Sequence, residues 1–130
     1  MIRIFPTSTW YRPTSEVVVA LEADAADLPL LRDASLLVSA LERTVGVLPA
    51  ASAGEIVLGK YRLGAYGIDL LDDSGKVLAS TAFDVLNSAL DRPRYGFLTS
   101  FGSGVPLSQV QRHFLRLHLN MAQYYDWAWR

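Results

Sequence analysis

A chain of 130 residues with 51% hydrophobic and 19% charged side chains can bury a core as one domain, 1–130, which excludes disorder. Its formal net charge of −1 excludes a global field for nucleic acid or an anionic membrane, and the absence of cysteine excludes disulfides, thiolate metal sites and cysteine nucleophiles. Val17 to Leu21, the densest apolar run, falls far short of the ~20 residues that span a bilayer, and MIRIFPTSTW holds no signal-peptide stretch, so a soluble, cytoplasmic protein is expected.

Ile2 to Phe5 reads as a short strand closed by Pro6. Pro6 to Ser15, PTSTWYRPTS, reads as a loop because it holds two prolines and five serine or threonine residues. Glu16 to Glu22, EVVVALE, is a β-branched run of strand length that belongs in the middle of a sheet. Asp27 then serves as an N-cap, and Leu30, Ala34, Leu37, Leu41 and Val45 recur at spacings of three and four, which predicts a helix over about 28–46 stopped by Gly46.

Glu55–Leu63, Tyr66–Asp72 and Lys76–Phe83 read as three strands, with a hairpin at Asp73-Ser74-Gly75. Asp84 is placed to cap a short helix near 85–91 that Pro93 ends, and Tyr95 to Phe101 is the last predicted strand. After Gly102-Ser103-Gly104, Pro106 opens a final helix over about 106–129. Its seam is Leu107, Val110, Phe114, Leu117, Met121, Tyr124 and Ala128, at spacings of 3-4-3-4-3-4. The predicted fold is a single α+β domain: a mostly antiparallel sheet of five to six strands with two main helices and one short one.

The chain finishes YYDWAWR, with four aromatic side chains among seven residues. On a regular helix Trp127 and Trp129 lie roughly 160° apart, so one ring faces a partner if the other packs at home. Trp10-Tyr11-Arg12 sets two flat rings beside a guanidinium in a loop, a composition of binding hot spots that also suits an anchor on the core. Trp10, Tyr11, Arg12, Tyr125 and Trp127 are therefore the candidate partner-binding residues. The partner is a protein, or a second copy of the chain through the C-terminal helix.

Catalytic, metal and cofactor motifs are not found. His113 and His118 are ~140° apart around a helix and cannot chelate one ion as an i, i+4 pair would. Asp72 and Asp73 are turn residues, Asp69 interrupts an apolar strand, and Glu22 and Asp24 end one. Gly102-Ser103-Gly104 lacks the rest of a phosphate loop, and Ser103 lacks a nucleophile elbow. Basic residues such as Lys60, Arg62, Arg92, Arg94, Arg112 and Arg116 are scattered, which argues against nucleic acid. Arginine outnumbers lysine ten to two, usage compatible with a GC-rich bacterial genome.

The function expected from these residues is protein binding rather than catalysis, of the kind shown by bacterial immunity or inhibitor proteins that neutralise one partner. The alternative is a ligand-binding domain or small cofactor-free enzyme. Its pocket would lie between sheet and helices, lined by Tyr61, Tyr66, Tyr95 and Phe97 with Asp69 or a histidine as the polar group.

Overall fold

The structure is a computed structural model that describes residues 1–50, 52–99 and 104–124. Seven strands come first in the chain: β1 (Ile2–Pro6), β2 (Val17–Ala23), β3 (Ser35–Ala40), β4 (Arg43–Pro49), β5 (Gly54–Gly59), β6 (Gly64–Leu71) and β7 (Val77–Val85). They form two antiparallel sheets, ordered β1-β2-β5 and β4-β3-β6-β7. Alternation along each strand decides which side chains meet between the sheets. Val17, Val19 and Leu21 of β2 and Ile4 of β1 join Leu36 and Val38 of β3 and Ile68 and Leu70 of β6 in one buried cluster. Three strands facing four in this order is the arrangement of an immunoglobulin-like sandwich.

Such sandwiches carry a tyrosine at the corner that enters the sixth strand, its hydroxyl bonded back to the preceding backbone. Here Tyr66 donates to the Arg62 carbonyl at 2.8 Å. Its ring stacks on Phe83 at 4.9 Å between centroids, and Tyr61 meets both rings edge-on. The turn between β6 and β7 is held by Asp72, whose Oδ1 accepts from the Ser74 and Lys76 backbone, while Gly75 takes φ +82°.

The expected α+β fold with two main helices gives way to a β-rich one, 48% strand and 14% helix. Over 28–46 only Leu28–Leu31 is helical, a 3-10 turn. The rest is the β3–β4 hairpin, because SLLVSA also alternates and TVGV is β-branched. Leu41 and Glu42 make its two-residue turn at φ +46° and +66°, so Leu41, expected in a helical seam, stands 96% exposed at the tip.

The short helix near 85–91 is displaced as well. β7 runs through Asp84 to Val85, and a 3-10 turn at Ala89–Asp91 is capped by Ser88 and closed by the Asp91 carboxylate.

Beyond the sandwich lie β8 (Tyr95–Leu98), α1 (Leu107–Arg116) and β9 (Met121–Tyr124), with β8 and β9 paired in parallel. A parallel pair needs a crossover, and α1 supplies it. The helix predicted to 129 stops a full three turns earlier, in a Schellman motif. Leu119 N–H bonds to the Phe114 carbonyl at 2.9 Å and His118 N–H to that of Leu115, with His118 at φ +55°. Phe114 and Leu119 then close over Gly96, where an added Cβ would lie 2.7 Å from each.

Candidate functional site at the junction of the two bodies

The most polar buried ground lies where the β8-α1-β9 unit meets the sandwich. Asp84, on the outward side of β7, is 2% exposed and sits between two guanidinium groups. Arg94 Nη2 lies 2.9 Å from one carboxylate oxygen and Arg92 Nη1 lies 3.3 Å from the other. Asn120 ties the same segment to the start of β9. Its Oδ1 accepts from the Arg94 N–H and its Nδ2 donates to the Arg92 carbonyl, both at 2.8 Å. His118 is half-buried beside them. Burial holds its pKa below the ordinary histidine value, Arg94 acts in the same direction, and Asp84 opposes them.

A second polar link crosses the outer face of the first sheet. Glu22 accepts from Arg116 at 3.1 Å and lies 3.8 Å from Arg3, and the Arg116 guanidinium covers the Phe5 ring at 5.4 Å. Between the loop at Thr7–Thr9 and the unit lies a groove of about 520 Å³, whose walls include Phe114, Leu115, Gln111 and Tyr124. A smaller hollow of about 260 Å³ opens between β1, β7 and the Arg116–His118 turn.

The residues singled out from sequence fall in different places. Tyr11 is buried, donates its hydroxyl to the Val18 carbonyl at 2.5 Å and accepts from the backbone of Thr7 and Ser8. It pins the loop along β7, through bonds from Tyr11 N–H to Asp84 and from Leu86 N–H back to Tyr11. Trp10 is half-buried, with the exposed Arg12 guanidinium 5.8 Å above its ring. Tyr125 and Trp127 lie outside the described residues. His113 is exposed on α1, and Asp69 faces outward, accepting from the Ser80 hydroxyl at 2.5 Å.

The pocket expected from Tyr61, Tyr66, Tyr95 and Phe97 is not assembled. The first two rings pack with Phe83 in the sandwich, where burial raises the Tyr61 phenol above its ordinary pKa. Tyr95 and Phe97 line a hollow of about 460 Å³ beside Val110, His113 and Leu117. Among the described residues no three His, Asp or Glu side chains converge on a metal position.

Asp84, Arg92, Arg94 and Asn120 were not grouped by the sequence reading. The available signal was a lone carboxylate in the apolar stretch TAFDVL, followed within ten residues by Arg-Pro-Arg.

Fold and junction together define an immunoglobulin-like sandwich that carries a parallel strand-helix-strand unit on a polar clamp. The sequence pattern of glycosyl hydrolase family 66 matches residues 11–130, and the chain belongs to that family. Among solved structures it resembles a cycloisomaltooligosaccharide glucanotransferase of Paenibacillus sp., in complex with cycloisomaltoheptaose, at 19% identity and a TM-score of 0.69. The likeness covers 100% of this chain and 21% of that one, so the chain spans about a fifth of the glucanotransferase. No curated protein matches. Membership of a glycosyl hydrolase family overturns the expectation of an immunity or inhibitor protein.

Proposed function

We propose that this chain is the supporting sandwich of an enzyme acting on α-glucans of the isomalto type, and that groups outside it cleave the glucan. The substrate class rests on family 66 and on the ligand named with the Paenibacillus glucanotransferase. The role rests on what the carboxylates here are doing. A glycoside hydrolase keeps two carboxyl groups about 5–9.5 Å apart across the glycosidic bond, one to protonate the leaving oxygen and one to attack or to activate water. Asp84 has both oxygens engaged by arginines, and Glu22 bridges Arg3 and Arg116. Asp69 holds Ser80, while Asp72 and Asp91 hold turns. These carboxylates are occupied in holding the fold, and that observation carries the reading.

The test is an assay on linear isomaltooligosaccharides, followed by chromatography of chain length. The 130 residues alone release no shorter sugars. The same residues deleted from a complete family 66 enzyme lower its folded yield and its turnover. Turnover by the 130 residues alone, abolished by an acid-to-amide substitution within them, overturns the reading.

A further inference from the structure

The walls of the hollow of about 260 Å³ between β1, β7 and the turn after α1 include Arg3, Ser80, Thr81, Arg116 and His118, and among the described residues no Asp or Glu. β1 and β7 are each the edge of their sheet and are not bonded to one another, so alternate backbone N–H groups of both strands turn toward this seam. Charge is unbalanced here. Arg3 and Arg116 share one carboxylate, Glu22, while Arg92 and Arg94, beside His118, share another, Asp84. Four guanidinium groups thus meet two carboxylates along one side of the junction, in a chain whose formal net charge is −1. Arg116 is held by its Nη2 bond to Glu22, and its Nε is buried with no hydrogen-bond partner among the described residues.

We propose that this hollow binds one small tetrahedral oxyanion, of the phosphate or sulfate class, between the guanidinium groups of Arg3 and Arg116 and the edges of β1 and β7. Such an ion supplies what the site lacks: negative charge beside an excess of guanidinium, and acceptor oxygens for a buried Nε that has none. Ser80 gives its hydroxyl to Asp69 at 2.5 Å, which leaves the Thr81 hydroxyl as the side-chain donor from β7. A water molecule could accept from Nε but would leave the charge uncompensated. A neutral sugar finds no ring to stack on, because the Phe5 ring in these walls is already covered by the Arg116 guanidinium at 5.4 Å. The bound ion joins two strands of the sandwich to the end of α1, a second fastening of the parallel unit beside the Asp84 clamp. None of this rests on the glucan reading.

The test is a titration of inorganic phosphate into the isotope-labelled chain, followed through its amide resonances, with sodium chloride holding ionic strength constant so that screening does not change. Saturable shifts are expected at residues 3–5, 79–81 and 116–118, with a dissociation constant on the order of 1 mM. At about ten times that concentration the folding equilibrium constant rises about elevenfold. Arg3→Gln, at an exposed position, should weaken binding about tenfold. Arg116→Lys keeps a charge but loses the Nε donor, and should weaken it by about the same factor. Unmoved resonances in β3 and β6 show that each variant is folded, and Arg3→Gln decides alone if Arg116→Lys disturbs them. A glucose phosphate monoester is the second probe, and it should bind more weakly than the free ion. No shift by about 20 mM phosphate, shifts that do not saturate, or equal affinity in wild type and Arg3→Gln each overturns the proposal. Monoester binding as tight as phosphate, or tighter, assigns the hollow to a phosphorylated ligand and overturns it for the free ion.

Discussion

In the sandwich, Leu36 and Ile68 of one sheet share a core with Val19 and Leu21 of the other, and none of the four is more than 2% exposed. In the parallel unit no residue of α1 is buried, and the largest apolar groups of β8 face water. Both bodies are built from short apolar strands, so composition does not explain the contrast. Antiparallel neighbours follow one another through tight turns and two sheets can cap each other. A parallel pair uses a whole helix for one connection and still leaves its second face open. The unit is therefore tied to the sandwich chiefly by charge and hydrogen bonds, with Asp84 at the centre.

The contrast can be broken most severely from the sandwich side. Leu70→Ala should cost about 2–5 kcal/mol, the range for emptying a fully buried leucine site, and should unfold both bodies together in urea. Asp84→Asn should cost about 1–3 kcal/mol, near the lower end because both guanidinium partners are part-exposed and can rehydrate. Hydrogen exchange should then show protection lost over 95–98 and 121–124 but kept in β3 and β6. Equal loss everywhere would mean that the clamp also supports the sandwich.

Gly96→Ala should cost a similar or slightly smaller amount, about 1–3 kcal/mol, because its Cβ collides with Phe114 and Leu119. Adding Phe114→Leu should recover part of the loss, measured as the urea midpoint of the double variant. Replacing Leu41-Glu42 by Asn-Gly should raise the unfolding free energy by about 1 kcal/mol, read as a higher urea midpoint, since both positions hold positive φ that the new residues adopt at little strain.

The smallest effect concerns pH. The pKa of His118 is lower folded than unfolded, so the unfolded chain takes up its proton first as pH falls. The contribution of neutral His118 is complete above the unfolded value of about 6.5 and declines until the folded pKa is passed. His118→Gln should flatten that part of the stability profile. A curve unchanged by the substitution would show that the junction does not sense the proton.

Parts of this division could be read from the residues. EVVVALE became β2 at the middle of its sheet, and Asp-Ser-Gly closed the β6–β7 hairpin, because β-branched runs and a glycine at positive φ leave little choice. The helix over 28–46 failed where two periods overlap. Leu37, Leu41 and Val45 fit a helical stripe, but the turn that makes them strands uses Leu-Glu, which carries no turn signature. The last helix failed for a related reason. His118 takes the left-handed position that glycine commonly marks at helix ends, so the apolar spacing runs past the true end without a stop signal. At the junction, Asp84 at the head of a stretch that Pro93 ends reads as a helix cap, and only the three-dimensional return of Arg92 and Arg94 shows it to be a clamp.

The order of these elements along the chain has a consequence for synthesis. Every strand of the sandwich lies between Ile2 and Val85, and the first strand packs beside the seventh. A ribosome delivers residues from the N-terminus, and domains fold as units while the rest is still being made. The sandwich can thus close while β8, α1 and β9 are still inside the exit tunnel or untranslated. Asp84 is fixed on a finished sheet before Asn120 exists to bind the segment that carries Arg92 and Arg94. The nascent chain thus meets the parallel unit with its anchor already rigid.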